Sequence, residues 1–397
     1  MRLRLVAAFV LVVAGAAAWN YLRPIPAADV VAALPSNEVV PGSAPTLPWP
    51  GQGAGAIAVS GLGFVASSGN EQALPAASVT KVMTALVILE EKPLVKGADG
   101  PVVTLTDADV QSYRADVADK ESVVYVRAGE QLTELQLLEG LLIPSANNYS
   151  QTLARWDAGT TEAFVAKMNA RAAALNLKHT SFADTSGASP QSVSTPSDLV
   201  ALGMLAMQQE VFAQIVAMEQ VVLPLAGTVY NVDRVIGQGG IVGIKTGSGL
   251  SSGANFLFAA NISVDGHSIT VYGCVMGQET LDAAFAGAIG LLGAVQPVLH
   301  VRRVIAQNDV VANVVTQWGA QTDVVSTVDV DLVEWPGLVL HQKLESHSFV
   351  IDQPLAAGTK EGIEHVTLGD YSLDVPIVTA DGLYPPGRLW RLLRLNL

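Results

Sequence analysis

The chain changes its pattern of hydrophobic and polar positions several times, and each change marks a boundary. Leu5 to Leu22 carry no charge, with Arg2 and Arg4 before them and Arg23 after. A basic start, an apolar run and the small residues Ala16, Ala17 and Ala18 predict a secretory signal. The same 18 residues also reach the lower limit for a membrane-spanning helix. Either reading exports the rest of the chain. Pro24, Pro26, Pro35, Pro41, Pro45, Pro48 and Pro50 then punctuate a segment that cannot run as a helix and lacks the alternation of a strand. An extended tether is expected there.

A different texture begins with a short strand at Ala56–Ser60. Val79, Val82, Met83, Leu86 and Val87 recur at helical spacing and predict a helix from Ser78 to Glu91. A second helix is expected from Thr133 to Ile143, with Thr133 and Gln136 spaced as a capping box and Pro144 as its stop. A third runs from about Thr161 to Leu175, and a fourth starts at Thr195 as N-cap with Pro196 in the first helical position. Asn255–Ile262 and His267–Met276 read as strands joined around Asp265-Gly266, a hairpin signal, and Leu281–Val295 reads as a closing helix. Helices in the middle and strands at both ends predict an α+β fold. After Pro297, short β-branched runs at Val310–Val315, Val325–Val333, Gly337–Leu340, Phe349–Ile351 and Glu364–Leu368 predict a small all-β domain. The expected organisation is a signal or membrane anchor over 1–23, a Pro-rich linker over 24–52, a main domain over 53–297 and a β-rich domain over 298–397.

Composition removes several function classes. With 22 Lys+Arg against 36 Asp+Glu the net charge is −14, which argues against nucleic acid as a partner. The single cysteine, Cys274, excludes an intramolecular disulfide and a cysteine zinc site, and the six histidines show no metal spacing. Glycines at 51, 53, 61 and 63 suggest a nucleotide loop, but Ala56 and Ala66 stand where GxGxxG needs its third glycine.

Three short motifs carry the candidate chemistry. Ser78-Val79-Thr80-Lys81 is an S-x-x-K at a helix start, Ser145-Ala146-Asn147 an S-x-N after a helix-breaking proline, and Lys245-Thr246-Gly247 a K-T-G closing the apolar run Ile241–Ile244. Ser68-Gly69-Asn70 also matches S-x-N but lies upstream of Ser78. Residues three apart share a helix face, so Lys81 can reach Ser78. A serine hydroxyl needs a base to take its proton, and a lysine serves only if burial or a neighbouring cation lowers its pKa. Lys245 could be that cation. Free N–H groups at a helix start suit an oxyanion. Of the nine lysines, one alone follows S-x-x and one alone opens K-T-G. The order of the motifs is that of penicillin-binding proteins and class A β-lactamases.

On these residues the chain resembles the serine-type D-alanyl-D-alanine carboxypeptidases, the low-molecular-mass penicillin-binding proteins. Leu74-Pro75-Ala76-Ala77-Ser78, Ala128-Gly129-Glu130, His179-Thr180-Ser181-Phe182 through Gly187, Ser194-Thr195-Pro196-Ser197-Asp198-Leu199 and Asn231 extend the likeness over roughly 53–297. The resemblance implies a penicillin-binding/β-lactamase-like transpeptidase fold: an antiparallel sheet flanked by helices, with a helical subdomain. It also implies the roles. Ser78 is the nucleophile, Lys81 the base, Ser145 the proton relay, and Asn147 holds the acyl side. Lys245 and Thr246 bind the terminal carboxylate of a peptidoglycan stem peptide ending in D-Ala-D-Ala, with Gly247 and Ser248 beside them. Backbone N–H groups of Ser78 and Ser248 form the oxyanion hole. β-Lactams are the implied inhibitors, no metal or organic cofactor is implied, and the place of action is outside the cytoplasm. A β-lactamase with Glu162 activating water, an endopeptidase on cross-links and a non-catalytic peptidoglycan-binding homologue share the motifs. The family usually has S-G-N followed by Asp-Ala, where this chain has Asn148-Tyr149. After K-T-G it commonly has a bulky residue and Thr, where this chain has Ser248-Gly249. At the far end, Arg388, Arg391 and Arg394 fall on one helical arc and Leu389, Trp390, Leu393 and Leu397 on another, an amphipathic tail that can lie on a membrane.

Overall fold

An uninterrupted helix, α1 (Arg2–Leu22), starts the chain, which the computed structural model describes over residues 2–69 and 72–394. Asn70 of the upstream S-x-N match and Leu397 of the tail lie outside the described residues. The 19 residues Arg4–Leu22 are long and apolar enough to cross a bilayer, and none of that span is buried. The chain packs into two compact units: Met1–Ser43 with Val301–Leu397, and Ala44–His300.

The first unit differs from what the proline pattern suggested. Two short strands, β1 (Asp29–Ala32) and β2 (Asn37–Val39), occupy the segment expected to be a tether. β1 pairs with Val310–Val315, Asp29 opposite Val315, and β2 pairs with Val339–Ser346, Val39 opposite Val339. They are the two edges of a seven-stranded antiparallel sheet, with Gln321–Ser326, Tyr371–Thr379 and Lys360–Leu368 between the strands they pair with. The prolines fit because Pro26, Pro35 and Pro41 fall outside the strands, where a missing N–H costs no ladder bond. Strands of four and three residues are too short for alternation to register in the sequence. Arg302 ties β2 in place, reaching Glu38 at 3.1 Å and the largely buried Glu334 at 2.6 Å. The expected run Val325–Val333 is divided, since one strand stops at Ser326 and the next, Val330–Glu334, pairs instead with His300–Ile305.

The second unit holds a five-stranded antiparallel sheet. Its strands are β3 (Ala54–Val59), β4 (Gly63–Ser67), β5 (Ile241–Gly249), β6 (Gly253–Val264) and β7 (His267–Gln278), in the spatial order β5-β6-β7-β3-β4. Asp265 (φ 48°) and Gly266 (φ 84°) make the β6–β7 turn, where both residues must be left-handed to match the twist of the strands. Residues Ala77–Thr80 form a 3₁₀ turn, and α2 proper runs over Lys81–Glu91, three residues later than the periodicity suggested. Every residue from Lys81 to Leu89 is buried, so α2 is the central element of the helical layer. Around it lie α3 (Asp107–Ala118), α4 (Glu134–Leu142), α5 (Asn147–Ala158), α6 (Thr161–Ala174), α7 (Pro196–Ala206) and α8 (Glu210–Val216). α4 has the expected capping box between Thr133 and Gln136, and α7 the expected Thr195 cap with Pro196 behind it. The last helix of the unit, α9 (Leu281–Val295), packs Phe285, Ala288 and Leu291 inward. The chain closes in the first unit with α10 (Arg388–Leu393).

Candidate active site

Ser78 stands in the tight turn before α2, and its neighbours decide how that turn is held. Ala77 has φ 48°, a left-handed conformation that needs outside support. Asn255 on β6 supplies it from below, with its side-chain N–H donating to Pro75 O at 2.9 Å and Ala76 O at 3.1 Å, while its Oδ1 accepts from Gly277 N. Gly187 closes the other side. A Cβ there would sit 1.8 Å from Ala77 O, so only glycine passes, and its φ of +83° agrees. The Gly187 loop is itself clamped by the Asp184 carboxylate, which accepts from the backbone N–H groups of Ser186, Gly187 and Ser189.

Lys81 lies one turn after Ser78. Its Nζ is 2.7 Å from Ser78 Oγ and donates to Ser186 O at 3.1 Å. The residue is fully buried and makes no ion pair among the described residues. Burial, and then the positive charge of Lys245, hold its pKa well below that of an ordinary lysine, and the opposing pull of Asp184, Glu121 and Asp116 does not restore it. With Nζ neutral, the 2.7 Å contact lets the Ser78 hydroxyl donate to the nitrogen lone pair.

Ser145 and Asn147 follow the Pro144 stop. Ser145 adopts φ 65°, which reverses the chain so that a new helix, α5, starts directly at Asn147. Asn147 is held twice by one loop: its backbone N–H donates to Ser122 O at 2.8 Å and its amide to Glu121 Oε2 at 3.1 Å. Both side chains are nearly inaccessible, and Ser145 Oγ and Asn147 Oδ1 have no hydrogen-bond partner among the described residues. Buried polar atoms of this kind are costly unless something binds them.

Asn148, which departs from the family pattern, is buried beside this loop. Its amide donates to Val124 O at 2.9 Å and its Oδ1 accepts from Val124 N at 3.1 Å, so it reads both polar groups of one residue. A carboxylate could accept from Val124 N but would face Val124 O without a proton. Asn148→Asp is therefore expected to cost about 1–3 kcal/mol, read as a lowered urea midpoint, and to slow acylation by releasing the loop that holds Asn147.

The K-T-G segment lies on β5, the edge of its sheet. A Cβ on Gly247 would sit 2.9 Å from Ala76 O and 3.0 Å from Ser78 N, so the bare glycine lets the strand backbone pass against the Ser78 turn. Lys245 is buried, with Nζ donating to Thr246 O at 3.1 Å. Burial lowers its pKa to about 7 against the opposing attraction of Asp233, whose own carboxyl burial raises to about 6. Thr246 is buried and Ser248 exposed, at the point where β5 leaves the core. Ser78, Lys81 and Gly247 are thus in direct proximity, Lys245 acts on Lys81 through its charge, and Glu121 joins Asn147 to the same field.

Beyond the Ser186 carbonyl opens a cleft of about 430 Å³, lined by Asp116, Gln151, Thr161, Glu162, Asp184 and Ser186 among others. Glu162 faces it from the first turn of α6, where hydrogen bonds from that turn and from Thr160 and Thr161 hold its carboxyl below the ordinary range. Among the residues that shape the site, Glu121 and Asn255 had no signal in the sequence. Each acts through a contact to a segment far away in the chain, and no local pattern encodes that.

Comparison with known proteins places these features in a family. Residues 63–280 match the family D-alanyl-D-alanine carboxypeptidase, peptidase S11. The chain is 36% identical over 196 residues to the D-alanyl-D-alanine carboxypeptidase DacB2 of Mycobacterium tuberculosis; the alignment covers 47% of this chain and 62% of that one. It spans less than two thirds of that relative's length. The crystal structure of the Streptomyces K15 DD-transpeptidase superposes with a TM-score of 0.56 at 26% identity, covering 64% of this chain and 98% of that one. The fold also matches that of the carboxypeptidase DacD from Francisella tularensis, with a TM-score of 0.61 at 18% identity over 88% of this chain and 97% of the other.

Proposed function

The chain belongs to the D-alanyl-D-alanine carboxypeptidase family, and on that premise we propose that it removes the terminal D-alanine from peptidoglycan stem peptides through an acyl-enzyme on Ser78. The observation that carries this reading is the 2.7 Å contact between Ser78 Oγ and a Lys81 amine that is fully buried, has no carboxylate partner among the described residues and lies next to a second cation.

The reaction begins as Ser78 Oγ attacks the carbonyl between the last two D-alanines while its proton passes to Lys81 Nζ. The developing oxyanion is met by backbone N–H groups of Ser78 and Ser248. Ser145, whose buried hydroxyl has no partner among the described residues, passes that proton from Lys81 to the departing amine, so that D-alanine leaves and Lys81 is neutral again. Water then attacks the ester, its proton going to Lys81, and Ser78 regains its own. Asn147 Oδ1, which has no partner among the described residues either, takes an N–H of the acyl part. Lys245 and Thr246 hold the terminal carboxylate. The free edge of β5 offers backbone groups to an extended peptide, as an edge strand does for any added strand.

Substrate of this kind lies outside the cytoplasm, and α1 fits a signal or membrane segment that delivers the catalytic unit there. Product analysis tests the reading. With a defined stem pentapeptide, mass spectrometry is expected to find the tetrapeptide and free D-alanine. Intact pentapeptide alongside a cleaved cross-linked dimer would replace carboxypeptidase with endopeptidase, and rapid turnover of a chromogenic β-lactam would replace it with β-lactamase.

A further inference from the structure

A lysine base needs more than a lowered pKa, because its lone pair must also face the hydroxyl it deprotonates. A neutral amine carries two N–H bonds and one lone pair, and it turns about Cε–Nζ unless an N–H is held. The holder of Lys81 Nζ is the Ser186 carbonyl, at 3.1 Å. With one N–H directed there, the lone pair is free to face Ser78 Oγ at 2.7 Å. The same oxygen also accepts from the ammonium form, so it remains a partner while the proton moves.

The direction of that carbonyl is set by Asp184. One carboxylate oxygen accepts from Ser186 N at 2.9 Å and from Gly187 N, and the other accepts from Ser189 N. Gly187 N and Ser186 O belong to one peptide unit. A peptide is planar and trans, so its N–H and C=O point opposite ways. Turning the Gly187 N–H onto Asp184 therefore turns the Ser186 carbonyl away from Asp184 and onto Lys81. Thr185 pins the stretch between. Its carbonyl accepts from Thr84 Oγ1 on α2 at 2.7 Å, and its hydroxyl lies 2.9 Å from Ser150 Oγ, which donates to Asn147 O at 2.7 Å. A clamp needed only to fold the loop could take any N–H of it. This one takes the N–H of the peptide whose carbonyl meets the base.

We propose that Asp184 is a positioning residue for the reaction: by holding the Gly187 N–H it aims the Ser186 carbonyl at Lys81 Nζ, and through that carbonyl it turns the lone pair of Lys81 onto Ser78 Oγ. Its charge reaches the same amine. The charged groups facing Lys81 are Lys245 on β5, which opposes its protonation, and Asp184, Glu121 and Asp116, which favour it, Asp184 most of the three. The inference rests on the reading of Lys81 as the base. Failure of that reading shows separately, as a rising limb of the pH profile that persists in Lys81→Met with Asp184 in place.

The experiment measures D-alanine release from a stem pentapeptide by the full chain. Rates are expressed per site titrated to completion with fluorescent penicillin, so that unfolded protein is not counted. Asp184→Glu keeps the charge but moves the carboxylate by one methylene. Its kcat is expected to fall about 10–10²-fold, the cost of a misplaced group, with KM largely unchanged and the rising limb at the parental pH. Asp184→Asn keeps an oxygen for the Ser186 and Gly187 N–H groups but sets an N–H donor against Ser189 N and removes the charge. Its kcat is expected to fall as well, and its rising limb to move to lower pH, because Lys81 loses a negative neighbour that favours its protonated form. Parental kcat per titrated site, with only the urea midpoint lowered, would make Asp184 a clamp for folding and overturn the proposal. A raised KM at parental kcat would assign Asp184 to substrate binding and overturn it equally. If Asp184→Glu does not fold, the kcat and the limb of Asp184→Asn decide alone.

Discussion

Ser78→Ala is expected to remove all covalent labelling by fluorescent penicillin and to bring D-alanine release to the background rate, with the fold unchanged. The change deletes one oxygen from a half-buried side chain whose local structure is held by other groups. Asn255 fixes the carbonyls of Pro75 and Ala76, and Gly187 closes on Ala77; neither depends on the Ser78 hydroxyl. The stability read from thermal unfolding should therefore stay within about 0.5 kcal/mol of the parent. Labelling that persisted in the alanine variant would remove Ser78 as nucleophile, and the mechanism with it.

Lys81→Met is expected to lower the rate of acylation by about 10²–10⁴, the usual worth of a positioned base. Methionine keeps most of the length and the apolar stem of a side chain that is already fully buried, so packing in α2 is largely preserved. The pH dependence separates a base from a merely structural lysine. Lys81 acts only when neutral, so the rate should rise with pH as its lowered pKa is passed. In the proposed mechanism Lys245 binds a carboxylate only when charged, so substrate capture should fall as pH rises through about 7. A bell-shaped profile of kcat/KM is the result, reporting the two groups in the free enzyme. In Lys81→Met the rising limb should vanish, and the falling limb, set by the burial of Lys245 and its attraction to Asp233, should remain. A variant that kept the rising limb would assign it to another group.

Where the sequence could be read, it was read through short-range physics. The Thr133–Gln136 capping box, the Thr195-Pro196 helix start, the Asp265-Gly266 hairpin and the span of α9 all depend on residues within a few positions of one another, and all stand where their patterns place them. The contact of Ser78 with Lys81 belongs to the same class, since three residues along a helical turn bring the side chains together without help. Even here the local rule was approximate: the turn is 3₁₀, with the carbonyls of Pro75 and Ala76 held by Asn255 and that of Ala77 lying against Gly187.

Residue types and their spacing were sufficient to single out Ser78, Lys81 and the K-T-G strand as candidates, because chemistry of this kind needs particular groups and the chain holds few lysines to supply them; the parts given to Ser145 and Asn147 came from the family resemblance. Tertiary structure alone decided what those groups feel and who holds them. Lys245, the neighbouring cation the motifs had offered, reaches Lys81 across 164 positions of chain only through the fold, and Glu121 steadies Asn147 from a loop with no pattern of its own. Asn148 became legible as a clamp only when Val124 was seen opposite it. The same holds for the proline-rich segment, whose β1 and β2 are too short to show a period and exist because two long strands offer them edges. Period and capping are properties of neighbouring residues. Burial, charge proximity and edge pairing are properties of distant residues brought together, and nothing in a local stretch of sequence records them.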